Sequence, residues 1–275
     1  MDIFPYVSSY ILLYAIVAFI VLIIVPAPYG KFARQSMPLQ INPRLAWFLN
    51  EVSALIFLAI GWLEDGTWRH DMPQTNKGWV CFLFLIVHFV WRSTLSQLII
   101  EWLIQAPNGT KQTSILLPLL SVIYLSLVGM NFRRMCSLID DDFQDFDLIF
   151  VCGASFCFLA NAFVDIQYNR WRKTEGSDRS EYLGRYLTRE ELAERFGLLN
   201  KLGFECPNYL FEMLEWGFFA LLAFRWEAFW WFVGTVLFLL PRSVWTSHWY
   251  MLGKEVQVTY KNTRPKVLSQ RKIVF

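Results

Sequence analysis

The chain has 275 residues, 55% of them hydrophobic and 18% aromatic, and its formal net charge is only +2. That composition fits a membrane protein and leaves little room for a separate soluble domain. The near-neutral balance gives no sign of a nucleic-acid partner, and none is expected.

A helix needs roughly 20 mostly apolar residues to cross a bilayer. Segments of that kind are predicted at 8–27, 46–63, 79–104, 113–131, 147–167, 208–224 and 227–246. The fold class expected is all-α: an integral membrane bundle of seven helices forming one domain over 1–275. The first segment follows Met1-Asp2-Ile3, lacks the positive leader of a signal peptide, and is read as a membrane helix. The last two are separated only by Arg225-Trp226-Glu227. Most of the 25 Lys and Arg residues fall in the loops 28–45, 105–112 and 168–207 and in the tail from 247. The positive-inside rule then puts the N-terminus outside and the C-terminus in the cytosol. The sequon Asn108-Gly109-Thr110 falls on the cytosolic side and is expected to stay unmodified. The five cysteines show no CxxC spacing and the three histidines are scattered. Neither a disulfide framework nor a metal site is expected.

Polar residues inside membrane spans are where function concentrates. In the second span, Trp47 and Glu51 are i, i+4 neighbours, with Asn50 beside them. In the third, His88 and Arg92 share that spacing, and Phe89 is adjacent. In the fifth, Asn161, Asp165 and Arg172 fall on one face. In the sixth, Asn208, Glu212 and Glu215 stand at i, i+4 and i+7. Two carboxylates at the mouth of a membrane helix are costly without partners or a ligand; ion pairing within the bundle is one explanation and a polar ligand the other. In the seventh, Arg242 and Tyr250 are two turns apart, with His248 nearby. The long basic loop 168–207 reads either as a surface helix or as a lid over an anionic ligand.

With the orientation above, these stripes open toward the cytosolic side. They predict a cavity of mixed charge that takes a polar cytosolic cofactor and an apolar substrate from the lipid. Arginines suit phosphates, and amides with carboxylates suit ribose hydroxyls or a carboxamide. No GxGxxG follows a strand, so a nicotinamide cofactor would bind between membrane helices.

Several segments carry a family resemblance. They are Pro28-Tyr29-Gly30-Lys31, Pro43-Arg44 through Asn50-Glu51, and Val87-His88-Phe89 with Arg92. Asn161, Asp165 and Arg172 follow. So do Cys206-Pro207-Asn208-Tyr209 with Glu212, Glu215 and Trp216, and finally Arg242 with His248-Trp249-Tyr250. In order and spacing they resemble the steroid 5α-reductase family of membrane reductases, which is related to enoyl-CoA and polyprenol reductases. The resemblance implies NADPH-dependent reduction of a carbon–carbon double bond conjugated to a carbonyl, an oxidoreductase acting on CH–CH donors, in the endoplasmic reticulum membrane or a bacterial inner membrane. It implies a 3-oxo-Δ4-steroid or sterol-like enone as substrate, with a trans-2-enoyl-CoA or other lipid reductase, or a non-catalytic homologue, as alternatives. The catalytic positions implied are Glu51, protonated, with His88 and Phe89; substrate-binding positions are Trp47, Asn50 and Arg92. Cofactor-binding positions are Asn161, Asp165, Arg172, Tyr186, Asn208, Glu212, Arg242, His248 and Tyr250, in a cofactor-binding half over 147–275. Phe89 stands where the family has a tyrosine, so a hydroxyl donor is missing there. The partners expected are the bilayer-borne substrate and membrane lipids, with the chain a monomer.

Overall fold

The computed structural model describes residues 4–25, 39–59, 72–96, 98–99, 113–174 and 206–251. Seven α-helices occur among them: α1 (Phe4–Ile24), α2 (Pro43–Ala59), α3 (Asn76–Val90), α4 (Leu116–Ser137), α5 (Asp147–Thr174), α6 (Pro207–Ala223) and α7 (Trp226–Met251). Each overlaps one expected span. α3 passes into a π-helical turn at Trp91–Leu95. The one departure from an all-helical fold among the described residues is a two-residue antiparallel ladder. It joins β1 (Gln40–Ile41) to β2 (Thr113–Ser114), with Gln40 opposite Ser114.

Local chemistry sets the helix ends. Proline opens α2 and α6, where its missing N–H costs nothing and its fixed φ suits the first turn. The Thr75 hydroxyl accepts the Gly78 N–H at 3.1 Å and caps α3. It also donates to the Ile139 carbonyl at 3.0 Å, fixing that cap to the loop after α4. α6 stops at Phe224, which adopts a left-handed conformation with φ 47°. That conformation normally favours glycine. It lets α7 begin after only Phe224 and Arg225. α4 runs beyond its expected end, through Arg133 and Arg134 to Ser137. Arg133 is buried, and the Ser137 hydroxyl donates to the Arg134 carbonyl at 2.7 Å.

α2 lies along α4, α5 along α6, and α1 along α7. Gly129 permits the first of these approaches, because a Cβ there would strike the Ala54 carbonyl. The core between them is aromatic. Trp216 stacks on Phe132 at 5.8 Å between centroids and meets Trp231 edge-on at 5.4 Å. Phe84 stacks on Phe219 at 5.4 Å. Such rings bury large apolar areas and prefer offset or edge geometries.

The outer surface is also apolar: Val17 and Ile20 of α1 and Phe156, Leu159 and Phe163 of α5 are exposed. Apolar stripes of this kind need lipid around them. Three helical stretches are long and apolar enough to cross a membrane: Asn76–Leu95, Asp147–Gln167 and Trp226–Thr246. Shorter apolar helices occur at Ser9–Ile24 and Leu45–Ala59. The chain is a membrane protein.

Candidate active site

Arg92 is the hub of the site. It sits in the π-helical turn that ends α3, a widened turn often found at functional positions. Its side chain is only 12% exposed. Glu51 of α2 lies 3.8 Å away, Asp165 of α5 3.5 Å and Glu212 of α6 3.7 Å. The Trp47 ring faces the guanidinium at 4.9 Å from its centroid, a cation–π contact. Four helices therefore meet on one cation.

These separations are too long for a tight bidentate fork, which needs about 2.7–2.9 Å. One guanidinium is shared loosely among three carboxylates. Acceptors outnumber donors, so the cluster suits a ligand rich in hydroxyl or amide N–H groups. Asn208 of α6 extends the set by donating to Asp165 at 3.3 Å. Asn161 of α5 is buried, and its side-chain carbonyl has no hydrogen-bond partner among the described residues; the same holds for the side-chain carbonyl of Asn50 in α2. Unpaired buried acceptors are costly unless something completes them.

One turn back along α3, His88 contacts a second carboxylate. Its Nδ1 lies 2.5 Å from Oε1 of Glu215, and both side chains are almost wholly buried. Trp216 packs on the imidazole at 4.6 Å, with Phe89 at 5.2 Å and Phe158 at 5.8 Å. The stripe of α6 is thus divided: Asn208 and Glu212 face Asp165 and Arg92, while Glu215 faces His88.

Several of the expected residues that the structure describes come together: Trp47, Glu51, His88, Arg92, Asp165, Asn208 and Glu212. Phe89 is buried, with its ring against Phe132 at 6.5 Å and Trp216 at 6.4 Å and edge-on to the His88 imidazole at 5.2 Å. Arg242 donates to the Tyr209 hydroxyl at 2.9 Å and lies over that ring at 5.0 Å. At Arg172, His248 and Tyr250 the helical backbone alone is described, and Tyr186 lies outside the described residues. Sequence reasoning missed Tyr209 as the partner of Arg242 and Glu215 as the partner of His88. The i+7 spacing from Asn208 put Glu215 on the right stripe without indicating which helix it would meet.

The family model described as 3-oxo-5-alpha-steroid 4-dehydrogenase matches residues 196–268, which include Asn208, Glu212 and Arg242. The chain is 27% identical over 250 residues to steroid 5-alpha-reductase DET2 of Arabidopsis thaliana, covering 88% of this chain and 86% of that protein. It is also 27% identical over 254 residues to steroid 5-alpha-reductase DET2 of Gossypium hirsutum, covering 90% of each. The helical frame, the cluster at its centre and these similarities agree: the C-terminal part of the chain matches the 3-oxo-5-alpha-steroid 4-dehydrogenase model, and the chain is similar over most of its length to two steroid 5-alpha-reductases.

Proposed function

We propose that this protein uses NADPH to reduce the conjugated C=C bond of a 3-oxo-Δ4-steroid or a sterol-like enone that reaches the site from the bilayer. The observation that carries the reading is the meeting of Glu51, Asp165 and Glu212 on Arg92 in a protein similar to two steroid reductases. The residues present fit a nicotinamide cofactor. Asp165 and Glu212 offer acceptors for ribose hydroxyls, and the unpaired carbonyl of buried Asn161 offers one for a carboxamide. Arg172 and Arg242 are the cations assigned to its phosphates. When bound, such a cofactor supplies the hydride that adds to the β-carbon of the enone.

The chain's own residues then have to stabilise charge on the carbonyl oxygen. Glu51, protonated, is the donor assigned to that oxygen, where preorganised hydrogen bonds contribute most. Arg92, which lies over the Trp47 ring, is the cation beside Glu51. The basic loops favour an N-terminus outside and the cofactor side facing the cytosol, in the endoplasmic reticulum membrane, with the protein working as a monomer among membrane lipids. Glu51→Gln tests the assignment. It should retain NADPH affinity by titration and lose about 10²-fold in single-turnover rate. Full turnover in a folded Glu51→Gln protein would remove Glu51 from the chemistry.

A further inference from the structure

The His88–Glu215 pair is expensive for the fold to keep. Glu215 has no exposed surface, and its second oxygen, Oε2, lacks a hydrogen-bond partner among the described residues. Breaking or burying such a pair carries penalties that hydrophobic residues would avoid. A carboxyl placed against Nδ1 also settles the ring's chemistry. The pair is least costly in a water-poor core when its net charge is zero. Zero net charge requires two protons on the pair. One lies between Nδ1 and Oε1, whichever atom holds it. The other is assigned to Nε2, the ring nitrogen that the Glu215 contact does not engage. His88 is thereby set up as a donor through Nε2. It lies one helical turn from Arg92, on the same face of α3, so it is adjacent to the Glu51 cluster.

We propose that Glu215 is a positioning residue: it holds the His88 ring so that Nε2–H meets the substrate carbonyl oxygen as a second hydrogen-bond donor beside Glu51. No proton need leave the ring. The bond strengthens as negative charge gathers on the oxygen, the condition under which a fixed donor accelerates reaction. Trp216, Phe89 and Phe158 fix the ring plane from its other sides. This inference rests on the enone-reductase reading.

The test is a spectrum with a kinetic arm. Protein labelled with ¹⁵N-histidine is studied in nanodiscs, with His88→Gln used to identify the His88 signals among the three histidines. Wild type should show a protonated Nε2. That signal should shift on adding cholest-4-en-3-one and stay put on adding cholest-4-ene, which lacks the carbonyl. Glu215→Gln should abolish the shift and lower kcat about 10²-fold with KM little changed. An unprotonated Nε2 in wild type overturns the proposal without needing any variant to fold. Wild-type turnover of the enone with no shift at His88 overturns the proposal and leaves the reductase reading standing. Neither turnover nor a shift overturns both.

Discussion

Arg92 compensates the Asp165 and Glu212 carboxylates beside the protonated Glu51 in a largely water-excluded space. Truncating it removes the compensation for both. Arg92→Met should lower stability by about 3–5 kcal/mol, the usual cost of leaving a buried charge unpaired. The measurement is the thermal midpoint in nanodiscs. A midpoint unchanged from wild type would mean that the carboxyls do not depend on the guanidinium. Phe89 sits on the opposite side of the account. Phe89→Tyr places a hydroxyl on a buried ring packed against His88, Phe132 and Trp216, and should cost about 1–3 kcal/mol. An unaltered midpoint would place the ring edge at the site rather than in the core. The stripes were legible in the sequence because i, i+3 and i+4 spacing fixes which residues share a helix face. Partner choice was not. It depends on how far each helix is rotated and which neighbour it meets, and His88 with Glu215 are 127 positions apart.

At the scale of elements, α3 is anchored at both ends. Its C-terminal end carries Arg92. Its N-terminal end carries Lys77, a buried lysine that bonds Asp141 at 2.6 Å and lies 3.4 Å from Asp147 at the start of α5. Asp147 also accepts the Gln144 N–H at 2.9 Å, so one buried carboxylate closes the loop between α4 and α5. Asp147→Ala should cost about 3–5 kcal/mol, because it removes the fully buried carboxylate beside Lys77 and the Gln144 bond, leaving the ammonium only the exposed Asp141. Asp141 is half exposed, and its replacement by Asn should cost about 1 kcal/mol or less. The Lys77 hydrogen bond holds the Asp141 carboxyl below its ordinary range. Its contribution is therefore present above the unfolded carboxylate value near 3.9 and fades as pH falls through the lower folded value. Wild type and Asp141→Asn should converge in stability toward acid and differ at neutral pH. Divergence toward acid would reverse the sign and contradict the latch. The acidic run at Asp140-Asp141-Asp142 is sufficiently explained from sequence as a solvated loop, yet one of the three is paired with a buried lysine. The β1–β2 ladder was likewise illegible. Two-residue strands carry no periodicity, and pairing between segments more than 70 residues apart leaves no local trace.

At the scale of the whole molecule, the seven helices among the described residues and their approximate places were legible because long apolar segments announce themselves in the sequence. Orientation rests on charge alone and is open to direct test. In a background with exposed Cys152 replaced by Ser, single cysteines at Ser180 and Ser269 should react with an impermeant reagent from the cytosolic face only. Labelling of either from the other face would invert the topology and turn the proposed cofactor side away from the cytosol. The central claim is chemical, and its most direct measurement is a product mass. Purified wild-type protein in nanodiscs, incubated with NADPH and cholest-4-en-3-one, should yield the saturated 3-ketone, with deuterium appearing at the β-carbon when the transferable hydrogen of NADPH is labelled. Folded protein that binds both compounds and forms no saturated ketone would contradict the account.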